Sequence, residues 1–453
     1  MINWMLLTDS YKFSHHKMYP SDMTAMGSYF ESRGSKLGYK EVVFFGLQYF
    51  LKKYLSKPLT YDDLWEAKAL VDAHLGPGIF NEDGFARIVN KHNGLPPVTI
   101  RAVPEGSVIP CNNVLMTVES EEEPWVVNFI ETLLVQMWYP CTVATISYEM
   151  RKLFEHYTDK DVSFMLHDFG FRGASSPETA ALGGASHLLS FKGSDTFAAI
   201  KLLKDYYKAS MPGFSVPATE HSTITSWGKS NEMEAYRNLL DKFPTGTVAC
   251  VSDSYNIYKA CSKMWGGALR DRVLDREGVL VIRPDSGDPK TVCEEVMKIL
   301  YASFPGGVDT AGRRLLNPKV RLIQGDGMTP NSIEDFLSYM EDKRWSVENF
   351  SFGMGGGLLQ KVDRDTLKFA FKCSWIKEGA GIRGVYKDPV DDPGKTSKQG
   401  NLTLVNTGDR IETRSSLQSY DNMFPDMLRT VYSNGRILID ERFEDIKERL
   451  SGA

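Results

Sequence analysis

Long apolar runs are missing from this sequence. No stretch in its 453 residues approaches the roughly 20 that a bilayer-spanning helix needs, so no membrane span is expected. Clustered cysteine is missing too. The 6 cysteines, Cys111, Cys141, Cys250, Cys261, Cys293 and Cys373, lie far apart, with no C-x-x-C pair and no Cys/His cluster. Neither a zinc site nor a disulfide framework is expected, and the cysteine usage fits a reducing cytoplasm. An excess of one charge is absent: 53 basic against 58 acidic residues give a net charge of −5, which argues against a general nucleic-acid or membrane-surface binder. The opening "MINWMLLTDSYK" has no basic n-region and too short an apolar run for a signal peptide. "DPGKTS" has the end of a nucleotide-binding phosphate loop, but the first glycine of that pattern is missing, because position 389 is proline. A P-loop nucleotidase is therefore rejected.

What is present is a chain with 42% hydrophobic residues, enough to bury at least one large core. Residues 43 to 90 read as helices. Residues 97 to 118 switch to short strands broken by Pro and Gly, and 124 to 140 read as one helix from Pro124 to Pro140. From about residue 161, short apolar runs alternate with helical stretches. The runs end in polar or glycine-rich clusters: "SFMLHDFGFRG", "SFKGSD", "FSVPATEHS", "GTVACVSDS", "VLVIRPDSGD", "VRLIQGDG" and "FSFGMGGG". Roughly seven such endings within about 200 residues favour a closed, mainly parallel α/β barrel over a small open sheet. From about residue 365 the pattern is strand-like again. The expected division is an outer α+β domain from both chain ends (1–160 and 365–453) around an α/β barrel at 161–364.

Chemistry in such folds collects beyond the C-terminal strand ends. Gly353, Gly355, Gly356 and Gly357 either present bare N–H groups to a phosphate or form a packing turn. The basic residues after them, Lys361, Arg364, Lys368, Lys372, Lys387, Lys395 and Lys398, form either a solvated face or a clamp for a polyphosphate. Asp168, Asp195, Asp253, Asp285, Asp288 and Asp326 each follow an apolar run. Any one of them could cap a helix, whereas several in one pocket would need sugar hydroxyls or a cation such as magnesium. Phe169, Phe171 and Arg172 could stack on a planar ring and hold a phosphate. His221 is either a plain helix-start residue or a proton or phosphoryl carrier. The inventory suits glycosyl transfer from an activated ribose phosphate.

The motifs "LLTDSYKFSHHKMYP", "ETLLVQMWYPCTVAT", "LHDFGFRGASSPETA", "SVPATEHSTIT", "VSDSYNIY", "IRPDSGDP", "IQGDG", "GMGGGLLQK" and "KDPVDDPGK" together resemble the nicotinamide phosphoribosyltransferase family, over nearly the whole chain. The resemblance implies the type II phosphoribosyltransferase fold, an irregular α/β barrel with an outer α+β domain. It implies that phosphoribosyl pyrophosphate and nicotinamide become nicotinamide mononucleotide and pyrophosphate, with ATP as a coupling substrate. It also implies a homodimer with shared sites and magnesium held mainly by substrate phosphates. Carried onto this chain, Phe169 and a partner subunit's Tyr11 would sandwich the pyridine ring, and Asp195 would accept the carboxamide N–H. Arg283, Pro284, Asp285, Gly325 and Asp326 would hold the ribose side, and Gly355 and Gly356 its 5′-phosphate. Arg33, Arg172, His221, Arg283, Arg364, Lys372, Lys387 and Lys395 would line the phosphate and pyrophosphate region, with Asp253 ordering His221. One departure stands out: Ala249 replaces the family's usual serine. The rival readings are a nicotinate phosphoribosyltransferase and a ligand-binding barrel without transferase activity.

Overall fold

A computed structural model describes residues 2–379, 381–391, 395–416 and 424–452. Asp392, Pro393 and Gly394 of the "DPGKTS" run lie outside the described residues. The chain forms two compact units: Met1–Thr145 with Leu202–Ser210 and Asp363–Ala453, and Ile146–Lys201 with Met211–Val362. These boundaries compare with 160/161 and 364/365 expected from sequence grammar, and they place Arg364 in the first unit.

The first unit is organised by an antiparallel sheet of 7 strands, in the order Gly381–Gly384, Phe369–Glu378, Met23–Ser32, Val114–Ser120, Thr99–Ala102, Arg429–Ser433 and Arg436–Ile437. Strands from the N-terminal and C-terminal parts of the chain pair as its second and third members, with Tyr29 opposite Lys372 and Phe30 opposite Phe371. The Phe30 and Phe369 rings stack at 5.1 Å, a cross-strand aromatic contact of the kind that stabilises a pleated pair. The Trp375 ring fills the space over Gly27, where a Cβ would lie 2.0 Å from the indole nitrogen. The helix Tyr61–Leu75 starts on a reciprocal cap between Thr60 and Asp63, as the pattern of Thr followed by an acid three residues later dictates.

The second unit carries a parallel sheet of 6 strands, in the order Gly193–Ser194, Leu166–Asp168, Phe350–Met354, Val320–Gln324, Leu280–Arg283 and Val248–Val251. An extended segment joins the two edge strands: Phe214 bridges Gly193 and Ala218 bridges Ala249, both in parallel. This segment is the "FSVPATEHS" run, and it makes the ring irregular because Pro217 lacks an N–H for a regular ladder. The expected irregular barrel with an outer α+β domain from both chain ends is the architecture present.

One element differs from its sequence reading. Pro140 does not end a helix. It sits in the first turn of Trp138–Tyr157, and the segment before it is broken into Trp125–Phe129 and Glu131–Val135. A first-turn amide has no intrahelical acceptor, so proline costs nothing there.

Candidate active site

The barrel's strand ends open into a cleft of about 710 Å³ lined by Phe169, Phe171, Arg172, Asp195, Thr196, Ala218, Thr219, Glu220 and Arg283. Phe169 leaves the end of Leu166–Asp168 and donates its N–H to the Met354 carbonyl at 3.0 Å. Its ring crosses bare backbone, since a Cβ on Gly353 would lie 2.1 Å from the ring and one on Gly325 3.4 Å. Glycines expected to serve phosphate or ribose thus also seat an aromatic ring. None of Gly353, Gly355, Gly356 and Gly357 needs a positive φ; Gly353 and Gly357 provide clearance. Gly357 packs on the Met328 carbonyl, whereas nothing lies within 4 Å of a Cβ on Gly356.

The strand-end aspartates divide by what they touch. Asp168 is fully buried and accepts the Gly170 N–H at 2.7 Å and the Ser194 hydroxyl at 3.2 Å. Burial pushes its pKa up to about 6. It shapes the turn that carries Phe169. Asp195 is exposed, lines the cleft and accepts the hydroxyl proton of Ser215. Asp288 caps Pro289–Ser303, accepting the Thr291 N–H at 2.9 Å, and its carboxyl titrates below the usual range because of its hydrogen bonds from Thr291. Asp326 is exposed just beyond Val320–Gln324.

Asp253 is a hub. Its side chain is 3% exposed; Oδ1 lies 3.1 Å from Nε2 of His221, whose side chain is 48% exposed. Oδ2 accepts the Asp285 N–H at 3.0 Å and the Ser286 hydroxyl at 2.5 Å. One carboxylate therefore ties His221 to the "RPDSGD" loop. Nε2 is thus the nitrogen placed to donate to the carboxylate, and in that tautomer of the neutral ring Nδ1 is the lone-pair nitrogen. Arg283 Nη2 lies 3.5 Å from Asp285 Oδ2, while its Nε is buried without a partner among the described residues. A buried guanidinium N–H left unpaired is a donor ready for an anion.

The remaining expected residues belong to the first unit: Tyr11, Arg33, Arg364, Lys372, Lys387 and Lys395. Arg33 donates Nε–H to Glu31 at 2.7 Å and has a buried Nη2 without a hydrogen-bond partner among the described residues. Burial lowers the Lys372 pKa; Glu131 opposes this, and Arg33, Arg364 and Lys387 add to it. Three cations acting on Lys372 in this way make a locally positive patch that an anion would relieve. Lys398 pairs with Glu31, the same carboxylate that accepts the Arg33 Nε–H. Tyr11 is 58% exposed. Sequence reasoning missed Ser215 and Ser286. Neither has a sequence signal beyond being a hydroxyl near a strand end.

Among the described residues no group of three or more His, Cys, Asp or Glu side chains could hold a metal ion. Asp253 is engaged by His221, the Asp285 N–H and the Ser286 hydroxyl, while Asp195 and Glu220 line the cleft and Asp285 and Asp326 lie on neighbouring strand-end loops.

Residues 164–436 match the Nicotinate phosphoribosyltransferase (NAPRTase) family, and residues 3–100 match the nicotinamide phosphoribosyltransferase N-terminal domain. The fold is thus that of the nicotinate phosphoribosyltransferase class. Two full-length relatives are more specific. The nicotinamide phosphoribosyltransferase of Xanthomonas campestris pv. campestris is 44% identical, over 100% of this chain and 98% of that protein. That of Acinetobacter baylyi is 32% identical, over 99% and 97%. The chain belongs to the nicotinamide phosphoribosyltransferase family. Its fold is shared by nicotinate-nucleotide pyrophosphorylase from Pyrococcus furiosus (TM-score 0.65, 13% identity, 99% of this chain and 95% of that one). Human nicotinic acid phosphoribosyltransferase shares it as well (TM-score 0.61, 16% identity, 98% and 93%).

Proposed function

We propose that this protein transfers the phosphoribosyl group of phosphoribosyl pyrophosphate to nicotinamide, forming nicotinamide mononucleotide and pyrophosphate in NAD salvage. The observation that carries the reading is one cleft holding the Phe169 ring and the Asp195 carboxylate together. The ring offers a face for a pyridine, and the carboxylate offers an acceptor for an amide N–H. Nicotinate would bring a second anion to Asp195, so the same pair disfavours the acid.

In this reading Phe169 fixes the attacking ring and Asp195 its carboxamide, which removes orientational freedom before reaction. Arg172 and Arg283 hold phosphate, with Pro284, Asp285, Gly325 and Asp326 on the ribose side and Gly355 and Gly356 at the 5′-phosphate. Arg33, Arg364, Lys372, Lys387 and Lys395 receive pyrophosphate and stabilise its charge as the bond to ribose C1 breaks. Magnesium, bound through the substrate phosphates and Asp285, would neutralise part of that charge. His221, held by Asp253 with Nδ1 uncommitted, is the residue for ATP coupling, by accepting a phosphoryl group. Tyr11 completes the aromatic sandwich from a second subunit of a homodimer, and the protein works in the cytoplasm. Among the described residues no helix is long and apolar enough to cross a membrane.

Mononucleotide formation by the purified protein tests this, with nicotinamide and nicotinate compared with and without ATP. Efficient use of nicotinamide is expected, with ATP hydrolysis stimulating it. Preference for nicotinate would establish the acid-specific rival, and no product from either base would leave a ligand-binding barrel.

A further inference from the structure

We propose that Ser215 sets the choice between carboxamide and carboxylate at this cleft, as a positioning residue acting through Asp195. The proposal rests on the reading of Asp195 as the acceptor of the substrate amide. Both backbones at this contact are pinned. Phe214 donates its N–H to the Lys192 carbonyl at 2.7 Å and accepts the Ser194 N–H at 3.0 Å. Asp195 donates its own N–H to the Asp168 carbonyl at 2.9 Å. Ser215 and Asp195 therefore meet because two neighbouring paths in the barrel wall hold them, and the Ser215 hydroxyl donates to Asp195 Oδ1.

Asp195 is otherwise loosely held. Its side chain is exposed, and no other side-chain hydrogen bond or ion pair restrains it among the described residues. Left alone, an exposed aspartate turns freely about its side-chain torsions. The hydroxyl removes that freedom and occupies one carboxylate oxygen, which leaves Oδ2 to accept an amide N–H. Serine has a single proton to give. While that proton is committed to Asp195, Ser215 cannot offer it to a substrate carboxylate, so nicotinate meets an oriented anion with no compensating donor. Without Ser215 the carboxylate can swing away from the base. Nicotinamide then loses an acceptor and nicotinate loses a repulsion. Both changes move the preference in one direction, which a mere packing role does not produce.

The test compares Ser215→Ala, Ser215→Thr, Asp195→Asn and the Ser215→Ala/Asp195→Asn pair in the full-length enzyme, with thermal melting as the folding control. Ser215→Ala should raise the nicotinamide KM on the order of tenfold, as loss of a hydrogen bond to a charged group does. The kcat and the KM for phosphoribosyl pyrophosphate should stay within about twofold, since those interactions are untouched. Use of nicotinate relative to nicotinamide should rise, Ser215→Thr should keep the wild-type preference, and Ser215→Ala should add nothing in the Asp195→Asn background. An unchanged nicotinamide KM in Ser215→Ala overturns the proposal. So does a Thr variant as impaired as the Ala variant, or full additivity in the double variant. If Ser215→Ala does not fold, Ser215→Cys, with its weak donor, takes its place and must fall between wild type and Asp195→Asn. Failure of the wild type to use nicotinamide would instead sink the reading of Asp195.

Discussion

Gly353 shows how much a missing side chain can decide. The Phe169 ring occupies the place where its Cβ would stand, 2.1 Å from two ring carbons. Gly353→Ala should displace that ring by more than an ångström, because ordinary contact begins at 3.4 Å, and lower kcat/KM for nicotinamide on the order of a hundredfold. The KM for phosphoribosyl pyrophosphate should move little; a variant with wild-type kinetics would show that the ring is not the base's platform. His221 makes a separable prediction. Its Nε2 is engaged by Asp253 at 3.1 Å, so in the proposed ATP coupling Nδ1 would be the phosphoryl acceptor. His221→Ala should abolish ATP hydrolysis and ATP stimulation and leave a slow ATP-independent synthesis. Normal coupling in the variant would place the phosphoryl acceptor elsewhere.

Among the elements, the loop after Leu280–Arg283 separates two aspartates that look alike in sequence. Asp285 faces Arg283 and gives its N–H to Asp253, whereas Asp288 spends its carboxylate on the first turn of Pro289–Ser303. Asp288→Ala should lower the melting temperature through loss of a helix cap and leave kcat/KM within about twofold of wild type. Asp285→Ala should do the reverse, with a melting temperature near wild type and kcat/KM reduced on the order of a hundredfold. Equal kinetic losses in both variants would mean that the loop moves as one piece.

For the whole molecule, a buried acid far along the chain from the site sets a pH dependence. Glu105 in the first unit accepts the Gly46 N–H at 3.1 Å, the Gln48 N–H at 2.6 Å and the Tyr207 hydroxyl at 3.0 Å. Burial raises its pKa from 4.5 to about 7. A carboxyl whose folded pKa is raised favours the fold most below its unfolded pKa and loses that contribution as pH rises through the folded value. The loss between 4.5 and about 7 is on the order of 3 kcal/mol. The stability of wild type relative to Glu105→Gln should therefore fall across this window in urea melts, and a difference independent of pH would contradict the assignment. Assembly is testable at the same scale. Mixing an inactive Tyr11→Ala protein with an inactive Phe169→Ala protein should restore part of the activity, because heterodimers would carry one site with both aromatics. Verified heterodimers without activity would refute shared sites.

The sequence by itself determined the barrel and the outer domain, because alternating strand and helix periods and the strand-like return after residue 365 are local signals that burial enforces everywhere. It also located the acids, the glycines and the basic run. It did not determine which aspartate is a helix cap and which faces Arg283, since Asp285 and Asp288 follow the same strand and differ only in what lies across from them. Nor did it reveal that Gly353 seats a ring or that Ser215 holds Asp195, because these contacts join strand ends far apart in the chain. Proline at 140 misled for the same reason: its cost depends on helix position, which the tertiary course of Trp138–Tyr157 sets. Local propensity is written along the chain, whereas the partner of a side chain at a barrel mouth is chosen only when the sheet closes.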